Sequence, residues 1–248
     1  MSRFSGCFVA FGLLTALAWA QDAPEAAKPK PLDTAKASVD NADWSAAIDA
    51  YTAHLRGLTT RDYRDKKTFS WILEAFEKQA QGNPPDYEAF QQIVKGKLPR
   101  NREKGDPLLV WRLHALLAEI AARQGNDPEV LKATEVAIDW YPNTTYGDPA
   151  TQSRLQHLYN DAALLRAKSD PAGGETYLLD EFLRDERFDF VYLKPWQDFY
   201  NDNPEAYQDF ARRVLETYDQ KIKRYPAKTD LLTHYRKITE EALGTTPQ

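Results

Sequence analysis

Five carboxylates crowd one short stretch of this chain: Asp180, Glu181, Asp185, Glu186 and Asp189. Two carboxyl groups at a set separation, one with a raised pKa, can hydrolyse a glycosidic bond. Arg184 and Arg187 are interleaved with them, however. Asp180–Arg184 and Glu181–Arg184 have the i,i+4 and i,i+3 spacings of helical ion pairs. The stretch therefore also fits a solvated, salt-bridged helix face. It runs into the densest aromatic group in the chain, Phe188, Phe190, Tyr192, Trp196, Phe199 and Tyr200. Rings with polar tips build recognition surfaces, which makes Tyr192, Lys194, Trp196 and Tyr200 the candidate binding residues. The same rings also fit a core plug joining two helical subdomains, because buried aromatics dominate cores. Asp198, Asn201, Asp202 and Asn203 add oxygen ligands, but without the glycine and closing glutamate of a calcium loop.

The other reactive residues are scattered. His54, His114, His157 and His234 are far apart, and none stands in an H-E-x-x-H arrangement. They read as ordinary half-buried or surface histidines, and no metal or other cofactor is expected. Lys95, Lys97, Arg100, Arg102 and Lys104 form a basic stretch with Gly96, Pro99 and Gly105. It reads as a solvated loop, or as a holder for an anionic surface. Asn143-Thr144-Thr145 is a glycosylation sequon. No nucleophile elbow, phosphate-cradling glycine loop, dinucleotide fingerprint or C-x-x-C pair occurs. Enzymatic chemistry therefore has no motif behind it.

The elements that must hold these residues are helical. Asp-Pro recurs at Asp106-Pro107, Asp127-Pro128, Asp148-Pro149 and Asp170-Pro171, at intervals of 21, 21 and 22 residues, and Asn203-Pro204 repeats the pattern. An Asp or Asn side chain accepts from the free N–H groups of a first turn, and proline suits the next position. Gly105, Gly125 and Gly147 stand just before three of these pairs, where helices end. Each module is thus one helix plus one turn. Apolar residues follow the i, i+3, i+4, i+7 rule within them. Leu109, Leu113, Leu116, Leu117 and Ile120 mark a helix over 107–124. Val110 and Trp111 lie off that face, so this helix is expected to be central. Further faces mark helices over 128–141, 149–168 and 204–225, and shorter ones near residues 44–55, 69–76, 87–94 and 231–238. Residues 187–194 alternate partly like a strand, but a lone strand has no partner. They are expected to form an ordered extended connection. The fold class is all-α, an array of antiparallel helical hairpins with no substantial β-sheet.

Some of this text resembles tetratricopeptide repeats. Ala47-Ile48-Asp49-Ala50-Tyr51 recurs as Ala137-Ile138-Asp139-Trp140-Tyr141, and helices close at Tyr141-Pro142 and Tyr225-Pro226. The similarity covers mainly residues 43–56, 107–142 and 204–226. Two modules here make about 42 residues, against the family's period of 34. The resemblance implies a superhelical groove that binds peptides or proteins.

The N-terminus gives the expected destination. Arg3 is followed by an apolar run, Cys7 to Leu17, and then by Ala18-Trp19-Ala20. That is the order of a secretory signal peptide, removed before Gln21. Residues 21–32 are expected to be a flexible linker and 33–248 a helical-repeat domain, with a possible subdomain junction near 188–195. Cys7 is the single cysteine, so the mature chain has no disulfide, thiol nucleophile or cysteine-bound zinc. With 32 basic and 37 acidic residues, and Arg3 lost with the signal, the mature net charge is 31 − 37 = −6. That disfavours general nucleic-acid binding. No membrane span is expected after the signal. The expected protein is an exported, soluble helical scaffold, periplasmic or secreted, that binds a protein or peptide partner in the cell envelope. The alternative is an all-helical exported hydrolase acting on polysaccharide or cell wall.

Overall fold

The computed structural model describes residues 30–57, 69–99, 105–141 and 149–244. The signal peptide, most of the linker, the sequon and Arg100, Arg102 and Lys104 lie outside the described residues. Every regular element among the described residues is helical, and none is a strand. In order they are α1 (Pro31–Asp40), α2 (Trp44–Arg56), α3 (Ser70–Gln79), α4 (Tyr87–Gly96), α5 (Pro107–Arg123) and α6 (Asp127–Trp140). Then follow α7 (Pro149–Ala167), α8 (Pro171–Arg184), α9 (Leu193–Phe199), α10 (Pro204–Arg224) and α11 (Thr229–Gly244). The all-α expectation holds. Two details differ from the sequence reading. Helix α1 begins at Pro31, so residues 31 and 32 form its first turn, where proline's missing N–H costs nothing. The extended connection spans residues 185–192 and ends two residues early, at the short helix α9.

The capping logic is visible at three of the Asp/Asn-Pro modules. Asp170 Oδ1 accepts from Gly173 N at 3.0 Å, and Asn203 Oδ1 from Ala206 N at 3.1 Å. At the third module the cap moves by one residue. Gly125 takes φ +67°, and the amides of Gly125 and Asn126 reach back to the carbonyls of Ala122 and Ala121. This is a Schellman stop. It leaves Asn126 outside the helical region, so Asn126 Oδ1, not Asp127, accepts from Glu129 N at 3.3 Å. Asp127 becomes the first residue of α6, where a carboxylate still suits the helix dipole, and it pairs with Lys168 at 2.9 Å.

Apolar burial forms two clusters. One gathers Ile48, Tyr51, Ile72, Phe90, Leu113 and Leu116 from α2 to α5. The other gathers Trp111, Tyr159, Phe182, Phe188, Trp196 and Tyr218 from α5 to α10. Helix α5 serves both, since Leu109 to Leu113 and Ala115 to Ala118 are buried on every side, as expected of the central helix. Residues 188, 191, 193 and 196 belong to the second cluster, and the change of cluster falls across α5 and α6. Successive helices make the most extensive contacts, notably α5 with α6, α1 with α2, α7 with α8 and α6 with α7.

Candidate functional site

Helix α7 packs on both α6 and α8, while α6 and α8 make no extensive contact with each other. A groove lies between these two helices, floored by α7. Its lining shows how the helices run. One well meets the starts of α6 and α8 and the end of α7, through Asp127, Pro128, Leu131, Leu165, Ser169 and Gly173. The other meets the ends of α6 and α8 and the middle of α7, through Glu135, Asp139, Tyr159, Tyr177, Glu181 and Asp185. So α6 and α8 run in the same direction and α7 runs against them. The wells hold about 420 and 480 Å³. Each is large enough for a side chain and adjoining backbone, by comparison with small-molecule sites of ~300–1,000 Å³.

Small residues shape the first well. A Cβ on Gly174 would sit 2.6 Å from the Ala163 carbonyl oxygen and the Ala167 Cβ, so only glycine lets α8 press onto α7 there. Between the wells stands Arg166. It donates to Glu135, and its guanidinium lies 4.4 Å from the centre of the Tyr177 ring. Burial, then the nearby Glu181 and Glu135, push the Tyr177 phenol well up, so it stays a neutral wall of the second well.

The far rim of the second well is the chain leaving α8, and it is tied from several sides. Arg187 Nε donates to Asp185 Oδ1 at 2.9 Å, its Nη2 to Oδ2 at 2.6 Å, and its Nη1 to the Tyr141 carbonyl at 2.5 Å. Tyr159 donates to Asp185 Oδ2 at 2.5 Å. Burial would raise the Asp185 carboxyl, but these bonds from Arg187 and Tyr159 outweigh it and hold the group below its ordinary range. Gln156 receives the Phe190 amide at 3.2 Å and donates to the Arg187 carbonyl at 3.1 Å. Lys221, fully buried, donates to the carbonyls of Phe182 and Asp185 and so caps the C-terminus of α8. Its burial outweighs the pull of Asp189 and Asp185 and lowers the ammonium to about 8. The sequence reading passed over Lys221. The signal was present, because Val214, Tyr218, Lys221 and Tyr225 share one helical stripe.

The four candidate binding residues lie elsewhere and divide. Trp196 has no exposed surface, stacks on Phe210 at 4.4 Å and donates to Asn160 at 3.2 Å. It is core. Tyr200 stacks beside it and donates to Glu175 at 2.6 Å, itself bound by Arg213. Tyr192 is half-buried, stacked on His157 at 4.2 Å and edge-on to Phe190 at 4.9 Å. Lys194 is exposed and pairs with Asp198 at 2.7 Å. None of the four lines either well.

The acidic stretch is only in part a helix face. Glu181 pairs with Arg184 on α8 at 2.5 Å, but Asp185 and Asp189 lie beyond the helix and are not solvated as expected. Asp189 is 3% exposed and held by Lys228 at 3.0 Å. Burial raises its pKa against the pull of Lys228, yet a general acid must reach its substrate, and this carboxyl is enclosed. Lys97 of the basic stretch binds Asp49 at 2.6 Å. No group of three or more His, Cys, Asp or Glu side chains that could hold a metal ion forms among the described residues. No helix among them is long and apolar enough to cross a membrane. In comparisons with protein-family models, curated proteins and solved structures, nothing matched this chain.

Proposed function

We propose that the protein is an exported scaffold built as an array of antiparallel helical hairpins, similar to tetratricopeptide repeats, and that it holds a protein or peptide segment in the groove between α6 and α8. The observation that carries this reading is the groove itself: two parallel helices kept apart over a third, with two adjoining wells on one face. Its rim is fixed by charged and buried hydrogen bonds, so little ordering remains to be done when a segment binds. The order of residues 1–20 supports export, and cleavage before Gln21 should show as a mature N-terminus beginning Gln21-Asp22.

The test is a library of immobilised 15-residue peptides probed with the purified chain and with a Ser169→Trp variant. Ser169 is exposed at the first well, so the indole fills that well without entering the core. The expected result is a defined set of bound peptides that the variant holds at least tenfold more weakly. A library with no bound peptide, or a variant that binds as tightly, would overturn the proposal.

A further inference from the structure

We infer that the segment taken by the groove is extended and carries one basic and one apolar side chain four residues apart. The inference rests on the peptide-binding reading above and assigns the chemistry of the partner. The second well has four carboxylates, Glu135, Asp139, Glu181 and Asp185, against two guanidiniums, Arg184 and Arg187. Three of the carboxylates already have a cation: Arg166 on Glu135, Arg184 on Glu181 and Arg187 on Asp185. Asp139 is exposed and has no ion pair among the described residues. An arriving ammonium or guanidinium meets Asp139 without displacing an internal cation, while an arriving carboxylate meets Asp139 as a like charge and could gain a cation only by displacing one of the internal pairs. Like charges brought together discriminate strongly against the wrong partner.

The first well differs in kind. Pro128, Leu131 and Leu165 supply apolar walls, and Gly173 and Gly174 contribute no side chain. The space they leave suits an aliphatic or aromatic group. Spacing then follows from helix geometry. Leu131 and Asp139 are eight residues apart on α6, or ~12 Å at 1.5 Å per residue. An extended chain advances about 3.3 Å per residue, and only every second side chain faces the same way. Four residues therefore span the two wells with both anchors pointing into the groove.

The probes are fluorescent 12-residue peptides in Gly-Ser flanks, with Leu-Ser-Ser-Ser-Arg or its reversal at the centre. Matched peptides carry Glu in place of Arg, or an anchor spacing of three. Anisotropy is read with the wild-type chain, with Asp139→Asn and with Ser169→Trp. The Arg peptide in one of the two orders should bind about two- to fivefold more tightly than its Glu match, the scale of one exposed ion pair. Asp139→Asn should remove most of that preference, and Ser169→Trp should weaken every peptide. Glu peptides that bind as well as Arg peptides, yet remain sensitive to Ser169→Trp, would overturn the basic preference and leave the groove reading standing. Equal binding at a spacing of three would overturn the register. No binding by any of these peptides, nor by the library, would overturn both readings.

Discussion

The two hydrophobic clusters of this protein are held together in different ways. The cluster of α2 to α5 is almost purely apolar, with Ile48, Phe69, Ile72, Phe90 and Leu113 all without exposed surface. The cluster of α5 to α11 buries polar groups among its aromatics, including Gln156, Asn160, Glu175, Asp189 and Lys221. Packing of the first kind needs volume and tolerates a change of shape. Packing of the second kind needs particular atoms, because a buried donor or acceptor left alone costs ~1–3 kcal/mol. The groove lies within the second region, and its rim at Asp185 and Arg187 is fixed by those bonds. The proposed binding surface is thus supported by hydrogen bonds, and the other region by contact area.

Trp196→Ala removes a fully buried indole and its bond to Asn160. It should cost about 3–5 kcal/mol in denaturant unfolding, and a near-neutral result would show that the rings of the second cluster are not its core. Gln156→Leu keeps much of the volume but strands the Phe190 amide and the Arg187 carbonyl. A loss of ~2–4 kcal/mol is expected from two unsatisfied groups. The matched change in the first cluster, Ile48→Leu, should cost less than about 1.5 kcal/mol. Equal losses at the two positions would erase the distinction.

Lys221 gives the comparison a pH axis. Its folded-state pKa of about 8 lies below the ordinary 10.5, so the folded chain releases this proton first. The stability it contributes is complete above 10.5 and is lost as pH falls through about 8. Wild type measured against Lys221→Met should therefore gain between these values, by a few kcal/mol at most at ~1.4 kcal/mol per pKa unit. A flat difference across that window would contradict a buried, suppressed ammonium. The smallest effect separates two neighbours. Asn126→Ala should lose about 1 kcal/mol with the cap of α6, whereas Asp127→Ala, which gives up an exposed pair with Lys168, should lose less than about 0.5 kcal/mol. The opposite order would return the cap to Asp127.

Much of the fold was legible because helices announce themselves locally. The stripes over α5, α6, α7 and α10 and the caps at Asp170 and Asn203 follow from residue spacing alone. Residue spacing puts the α6 cap at Asp127, whereas the left-handed turn at Gly125, invisible to an Asp-Pro rule, frees Asn126 to cap the helix. Chemistry alone marks Tyr192 and Trp196 as binding candidates, and the structure places Trp196 in the core and Tyr192 against His157. The groove was not legible. Its walls, Leu131 and Asp139 on α6 and Tyr177 and Glu181 on α8, become neighbours only because both helices pack on α7. Lys221 was half legible, since a lysine on an apolar stripe is a visible exception, but the carbonyls it caps are a tertiary fact.

Amide-resolved NMR of the chain, titrated with the tightest peptide from the library, tests the groove most directly. The expected shifts map to Leu131, Glu135, Asp139, Ser169, Tyr177 and Glu181, with α2, α3 and α4 unmoved. Shifts centred on Tyr192, His157 and Tyr235, or on the first cluster, would contradict the assignment of the groove as the binding site.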